Sequence, residues 1–220
     1  MPEINPMAGS TRPHTPTAAW RAISAGNERF VQGKPLHPNQ GAERRFELTG
    51  GQQPFATIFG CSDSRVAAEV IFDRGLGDLF VIRTAGHVAG PTEIGSLEYG
   101  SEILGIPLII VLGHDSCGAV SSAITAFETG QMPHGFVRDL VERVTPSVNA
   151  AYRKGATSAD EIEAEHVRAT VHLLRQRSRP IAKRIENGSL AIVGLVYKLS
   201  DGAAQVLEVA GRIDGLESSE

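Results

Sequence analysis

Five side chains suited to metal and proton chemistry fall in two short stretches of this 220-residue chain, 60-GCSDSRV-66 and 113-GHDSCGA-119. The first sets Cys61, Asp63 and Arg65 on alternate positions after the apolar run 55-FATIF-59. The second sets His114 and Cys117 three apart, after 107-PLIIVLG-113. Two charges at the end of a buried strand cost free energy unless something pairs with them. Cys61 and Cys117 are the only cysteines in the chain. They read as two buried thiols packing as small hydrophobes, as a disulfide, which needs an oxidising compartment, or as part of a metal site. Zinc takes thiolate and imidazole ligands, and three protein ligands leave a fourth position open for water, whereas structural sites close with four. Cys61, His114 and Cys117 make such a set of three, and no fourth Cys or His stands beside them.

Asp63 and Arg65 then flank the metal. One reading is a surface ion pair of little worth. The other is that Arg65 holds Asp63 bidentately, so that the carboxylate accepts a hydrogen bond from water on the metal and stays out of the ligand set. Two thiolates cancel the formal charge of the zinc ion, so water there is harder to deprotonate than on zinc held by neutral histidines. An oriented carboxylate, kept in charge balance by an arginine, suits that need.

The elements that must position these residues alternate along the chain. Apolar runs predict strands at 55–60, 79–83, 107–113 and 190–197, with a last strand at 205–209 pairing antiparallel after the turn 200-SDGAA-204. Helical spacing predicts helices at 66–73, 93–104, 117–128, 135–153 and 160–186. An N-terminal helix starts at Thr15-Pro16 and stops near Gly33, followed by a loop rich in Pro, Asn and Gln. The pattern is α/β: a mostly parallel sheet of four parallel strands plus a C-terminal antiparallel strand, flanked by helices, with an N-terminal helical arm. Continuous apolarity in 107–113 fits a strand buried on both faces. Working sites of such sheets lie beyond the carboxyl ends of the strands, where both motifs fall. Residues 1–14 read as a flexible arm, 15–214 as one domain, and 215–220 as a tail.

Hydrophobic content of 41% suits a globular core. A net charge of −4 argues against nucleic-acid and anionic-membrane partners. No apolar stretch reaches the ~18 residues that span a bilayer, and 1-MPEINPMAGSTRPHTP-16 has no secretory apolar run. The cytoplasm is the expected compartment.

With Cys61-Ser62-Asp63-Ser64-Arg65 and His114-Asp115-Ser116-Cys117-Gly118 in place, the sequence resembles the β class of carbonic anhydrases. The resemblance continues through 72-FDRGLGDLFVIRTAG-86, 97-LEYG-100 and 193-VGLVYKLSDG-202, from about Trp20 to about residue 210. It implies zinc on Cys61, His114 and Cys117, and a catalytic dyad of Asp63 and Arg65. It implies that Gln52 hydrogen-bonds substrate and that Phe80 and Tyr99 line a narrow pocket, one subunit contributing to its neighbour's site. Gly118 matches the small residue after the second cysteine. The implied activity is reversible hydration of carbon dioxide to bicarbonate and a proton by zinc-bound hydroxide, in a homodimer or homotetramer whose N-terminal helices, here 15–32, reach over the partner. A closed form with Asp63 as fourth ligand is a further expectation. Some relatives carry an inhibitory bicarbonate site built from a tryptophan, an arginine and a tyrosine. Arg83 and Tyr197 match the last two, but Ile58 replaces the tryptophan. Ala119 stands where a second glycine is frequent, and His87 where an asparagine is. Two other functions share the motif: hydrolysis of carbonyl sulfide or carbon disulfide, and a zinc-stabilised binding protein without turnover.

Overall fold

A computed structural model describes residues 12–218; most of the expected arm, residues 1–11, and the last two residues of the tail lie outside the described residues. The sheet has five strands: β1 (Ala56–Cys61), β2 (Leu79–Thr84), β3 (Leu108–His114), β4 (Ala191–Tyr197) and β5 (Ala204–Ala210). Their order is β2-β1-β3-β4-β5, with the first four parallel and β5 antiparallel on β4. Every residue of β1, β3 and β4 is buried, whereas the edge strand β2 is mostly half-buried. Strand period two sends alternate residues to opposite faces. Ile58, Ile110 and Leu112 join the core under the N-terminal helix, and Phe59, Ile109 and Val111 join the core on the other face.

Helix α1 (Pro16–Val31) begins as expected, with the Thr15 hydroxyl accepting the Ala18 amide at 3.2 Å and Pro16 in the first turn. It turns Ile23 fully inward, and Gly33 follows its end at φ +66. Helix α2 (Ala42–Glu47) occupies the stretch read as loop. Its one large apolar side chain, Phe46, is 79% exposed, so no buried stripe announces it. The helix expected over 66–73 contracts to α3 (Ala68–Ile71).

Helix α4 (Pro91–Glu98) ends early and passes into one wide turn, Tyr99–Ile103. That turn brings the Gly100 backbone against β1 and β2, where an added Cβ would stand 2.9 Å from Thr57 Oγ1 and 3.3 Å from the Phe80 ring. Helices α5 (Gly118–Thr129) and α6 (Val137–Arg153) match expectation closely. The single helix expected over 160–186 is two, α7 (Ala159–Arg177) and α8 (Arg179–Glu186). Pro180 has no N–H to continue the ladder and would crowd the carbonyl four residues back. Ser178 therefore takes extended angles and caps α8 through the Ile181 amide at 3.2 Å. Among the described residues no helix is long and apolar enough to cross a membrane.

Candidate metal centre

Because β1 and β3 are neighbours and parallel, their carboxyl ends lie side by side. Cys61 closes β1 and His114 closes β3, while Cys117 occupies the residue just before α5. The ligating atoms of Cys61, His114 and Cys117 all lie within 4.8 Å of one another, and all three residues are buried. Both cysteines are free thiols, so the disulfide reading fails.

The donor set fits a metal ion on three grounds. His114 Nδ1 is engaged with the Asp115 carbonyl at 2.8 Å, which leaves Nε2 pointing into the cluster, buried and without a hydrogen-bond partner. The Asp63 amide at 3.4 Å and the Gly86 amide at 3.3 Å donate to Cys61 Sγ. The two thiols are in contact. The hydrogen bond with Cys117 draws the Cys61 thiol down, helped by His114 and the two amides, and the same bond pushes Cys117 up. One thiolate thus forms readily and opposes the second, a conflict that a divalent cation between them removes.

Asp63 lies at the mouth of the cluster. Arg65 grips it through Nε to Oδ1 at 2.9 Å and Nη2 to Oδ2 at 2.7 Å, and the Arg65 amide adds a bond to Oδ1 at 2.9 Å. The Arg65 side chain holds the Asp63 carboxyl well below the usual carboxylate range. Arg65 is half exposed, so the pair adds little to stability; its effect is geometric. The carboxylate is turned to Arg65, with Oδ2 4.0 Å from His114 Nε2.

Arg83, which resembles part of an anion site, is engaged with the main chain here. Its Nε donates to the Cys61 carbonyl at 2.9 Å and its Nη2 to the Asp63 carbonyl at 2.6 Å. Ile58 is buried in the core, and Tyr197 is buried at the end of β4. Ser116 takes a left-handed φ of +56, which compresses the link from His114 to Cys117.

Gln52, Phe80 and Tyr99 do not converge on this cluster within one chain. Phe80 pairs in register with Thr57, and Thr84 with Cys61. Four strand rises of about 3.3 Å, roughly 13 Å, separate the two levels. Tyr99 stacks on Phe80 with ring centroids 6.1 Å apart and is 47% exposed. Gln52 is exposed in the segment entering β1, at that same amino end of the sheet. Gly118 is exposed in the first turn of α5, where an added Cβ would meet nothing within 4 Å.

Two buried residues with no signal in the sequence stand behind the cluster, Glu163 and His166 on α7. Glu163 Oε1 accepts the His114 amide at 3.1 Å, and burial pushes its carboxyl up to about 8. His166 joins Ser147 Oγ at 2.9 Å to the Gly86 carbonyl at 3.0 Å. His87 is fully buried beside them, its ring centroid 4.4 Å from that of His166; neither of its nitrogens has a hydrogen-bond partner, and Nδ1 lies 3.8 Å from Glu163 Oε1.

The carbonic anhydrase family profile matches residues 56–204. Carbonic anhydrase 2 of Mycobacterium tuberculosis is 56% identical over 198 residues, 90% of this chain and 96% of that protein. A carbonic anhydrase of Mycolicibacterium smegmatis is 54% identical over the same shares. The solved Coccomyxa β-carbonic anhydrase in complex with acetazolamide is 26% identical, with a TM-score of 0.66, covering 76% of this chain and 78% of that one. Sequence, sheet topology and the Cys–His–Cys cluster agree, and the chain belongs to the β class of the carbonic anhydrase family.

Proposed function

We propose that the chain hydrates carbon dioxide reversibly to bicarbonate and a proton, with one zinc ion held by Cys61, His114 and Cys117. The observation that carries this reading is the buried three-ligand cluster beside a carboxylate that an arginine holds outside it. When bound, zinc supplies Lewis acidity that brings the pKa of the reacting water toward neutrality.

The chain's own residues supply direction. Asp63 Oδ2 accepts a hydrogen bond from the reacting water and turns a lone pair outward. Arg65 keeps that carboxylate ionised and occupies the face that would otherwise swing onto the cluster. The Arg83 clamp fixes the loop carbonyls from Cys61 to Asp63, so both side chains leave a rigid frame.

Gln52, Phe80 and Tyr99 come from a second copy. Their place at the amino end of the sheet and the exposure of Tyr99 support this, since one chain leaves them far from its own cluster. The Gln52 amide donates to an oxygen of carbon dioxide, and the two aromatic rings make apolar walls for a substrate with no charge to steer. Gly118 leaves the approach beside Cys117 open.

Stopped-flow carbon dioxide hydration, with zinc measured on the same sample, tests the reading. Hydration that chelation removes and zinc restores is the expected result. Stoichiometric zinc without hydration, together with hydrolysis of carbonyl sulfide or carbon disulfide, would replace this substrate by a sulfur analogue.

A further inference from the structure

The inner face of α7 is mainly apolar, with Ile162, Val167, Val171 and Leu174 buried. Glu163 and His166 interrupt it one turn apart, at 2% and 5% exposure. Burying a carboxyl and an imidazole costs free energy that Leu or Ile would not, so their partners carry the reason for their presence. Both lead to the cluster.

The pairing of β1 with β3 runs out at Gly60 and Leu112, two residues before His114. There the His114 amide donates to Glu163 Oε1 at 3.1 Å. The carboxyl comes this close because residue 113 is glycine: a Cβ there would stand 2.4 Å from Oε1. His166 works through Gly86. Its Nε2 meets the Gly86 carbonyl at 3.0 Å, and the amide of the same residue donates to Cys61 Sγ at 3.3 Å. Gly86 has φ +65, and an added Cβ would lie 2.7 Å from the Ala119 Cβ, so this link takes a conformation suited to glycine. The Gly86 carbonyl can only accept, so the ring, kept neutral by burial, carries its proton on Nε2 and accepts the Ser147 hydroxyl, 2.9 Å away, on Nδ1.

We propose that Glu163 and His166 are positioning residues that brace two metal ligands from behind, Glu163 through the His114 main chain and His166 through the Gly86 amide on Cys61. The proposal rests on the reading of Cys61, His114 and Cys117 as zinc ligands. Partners behind a metal site orient its ligands, and their loss typically lowers metal affinity about 10–100-fold.

The test compares Glu163→Leu and His166→Leu with the rescue variants Glu163→Gln and His166→Gln, which keep an acceptor for the His114 amide and a donor for the Gly86 carbonyl. Zinc release to dipicolinate and the absorption spectrum of the cobalt-loaded protein are read alongside hydration. The leucine variants are expected to release zinc roughly 10–100-fold faster and to shift the cobalt bands, with the glutamine variants close to wild type. If Glu163→Leu does not fold, Glu163→Asp takes its place, a carboxyl one methylene short of the amide. Release rates and cobalt spectra unchanged in folded variants overturn the brace while leaving the zinc site intact. A wild-type chain that holds no zinc overturns the zinc site and the brace with it.

Discussion

Arg65 meets both oxygens of Asp63, Nε on Oδ1 at 2.9 Å and Nη2 on Oδ2 at 2.7 Å, while Oδ2 stays 4.0 Å from His114 Nε2. The carboxylate is thus beside the cluster without belonging to it. A carboxylate so placed is available to orient a water, the role proposed for it, whereas one inside the ligand set would close the site.

Asp63→Asn keeps the shape but loses an acceptor with full charge, and Arg65→Ala frees the carboxylate. Each is expected to lower kcat roughly 10²-fold with zinc content unchanged. Stopped-flow hydration paired with metal analysis checks this; wild-type turnover in Asp63→Asn would exclude its orienting role.

Removing a ligand acts differently. Cys117→Ser is expected to lose zinc and hydration together. Stripping the wild-type chain with a chelator is expected to lower its melting temperature, because a metal that binds only the folded state stabilises it by mass action. Metal analysis and thermal melts report both, and a melt indifferent to zinc would contradict the site.

Because Gln52 and Asp63 lie at opposite ends of β1, a shared site can be tested by mixing subunits. Gln52→Ala and Asp63→Asn are each expected to be weak alone. Co-expressed, they place both defects in one site of a mixed dimer and leave the other intact, restoring about a quarter of wild-type turnover under random pairing. No gain on mixing would place both residues in a single chain's site.

Arg83 spans the Cys61 and Asp63 carbonyls, and Arg83→Met removes both bonds. At about 0.5–1.5 kcal/mol per bond, the cost in urea unfolding is modest, on the order of 1–3 kcal/mol. Hydration is expected to fall further than that loss of stability explains, with Arg83→Lys intermediate. Turnover equal to wild type would show that the loop holds its shape unaided.

Asp73 governs acid stability. Its side chain is fully buried, and burial alone would raise its carboxyl; the Leu36 and His37 amides and Arg29 Nε at 2.6 Å outweigh that and hold it below its ordinary value. A carboxyl whose folded pKa is depressed contributes stability above its unfolded pKa of about 3.9 and loses it as pH falls through the folded value. Asp73→Asn is therefore expected to be destabilised by about 1–3 kcal/mol at pH 7, and the gap to wild type should close below pH 4. Urea unfolding at pH 7, 5 and 3 measures it; a gap that is constant with pH would remove the ionised carboxylate as the cause.

Much of the site was legible in the chain because the relevant signals are local. Apolar runs of strand length mark β1, β3 and β4, and Cys61-x-Asp63-x-Arg65 and His114-x-x-Cys117 sit at their ends, where an α/β sheet places its chemistry. Thr15-Pro16 announces α1 in the same local way. Pro180 carried the break between α7 and α8 too, but a long apolar period masks a single interruption.

Only the tertiary structure decided what stands behind and across from those motifs. Glu163 reaches His114 over 49 residues of sequence, and His166 reaches Gly86 over 80. Such pairs leave no period in the sequence, because the helix carrying them needs only to be buried, and a glutamate and a histidine read as ordinary helix residues until a strand end meets them. Likewise the strand register, set by packing the whole sheet, puts Phe80 beside Thr57 and Thr84 beside Cys61. That geometry, invisible in the spacing of residues, separates Phe80 and the Tyr99 stacked on it from the cluster of their own chain.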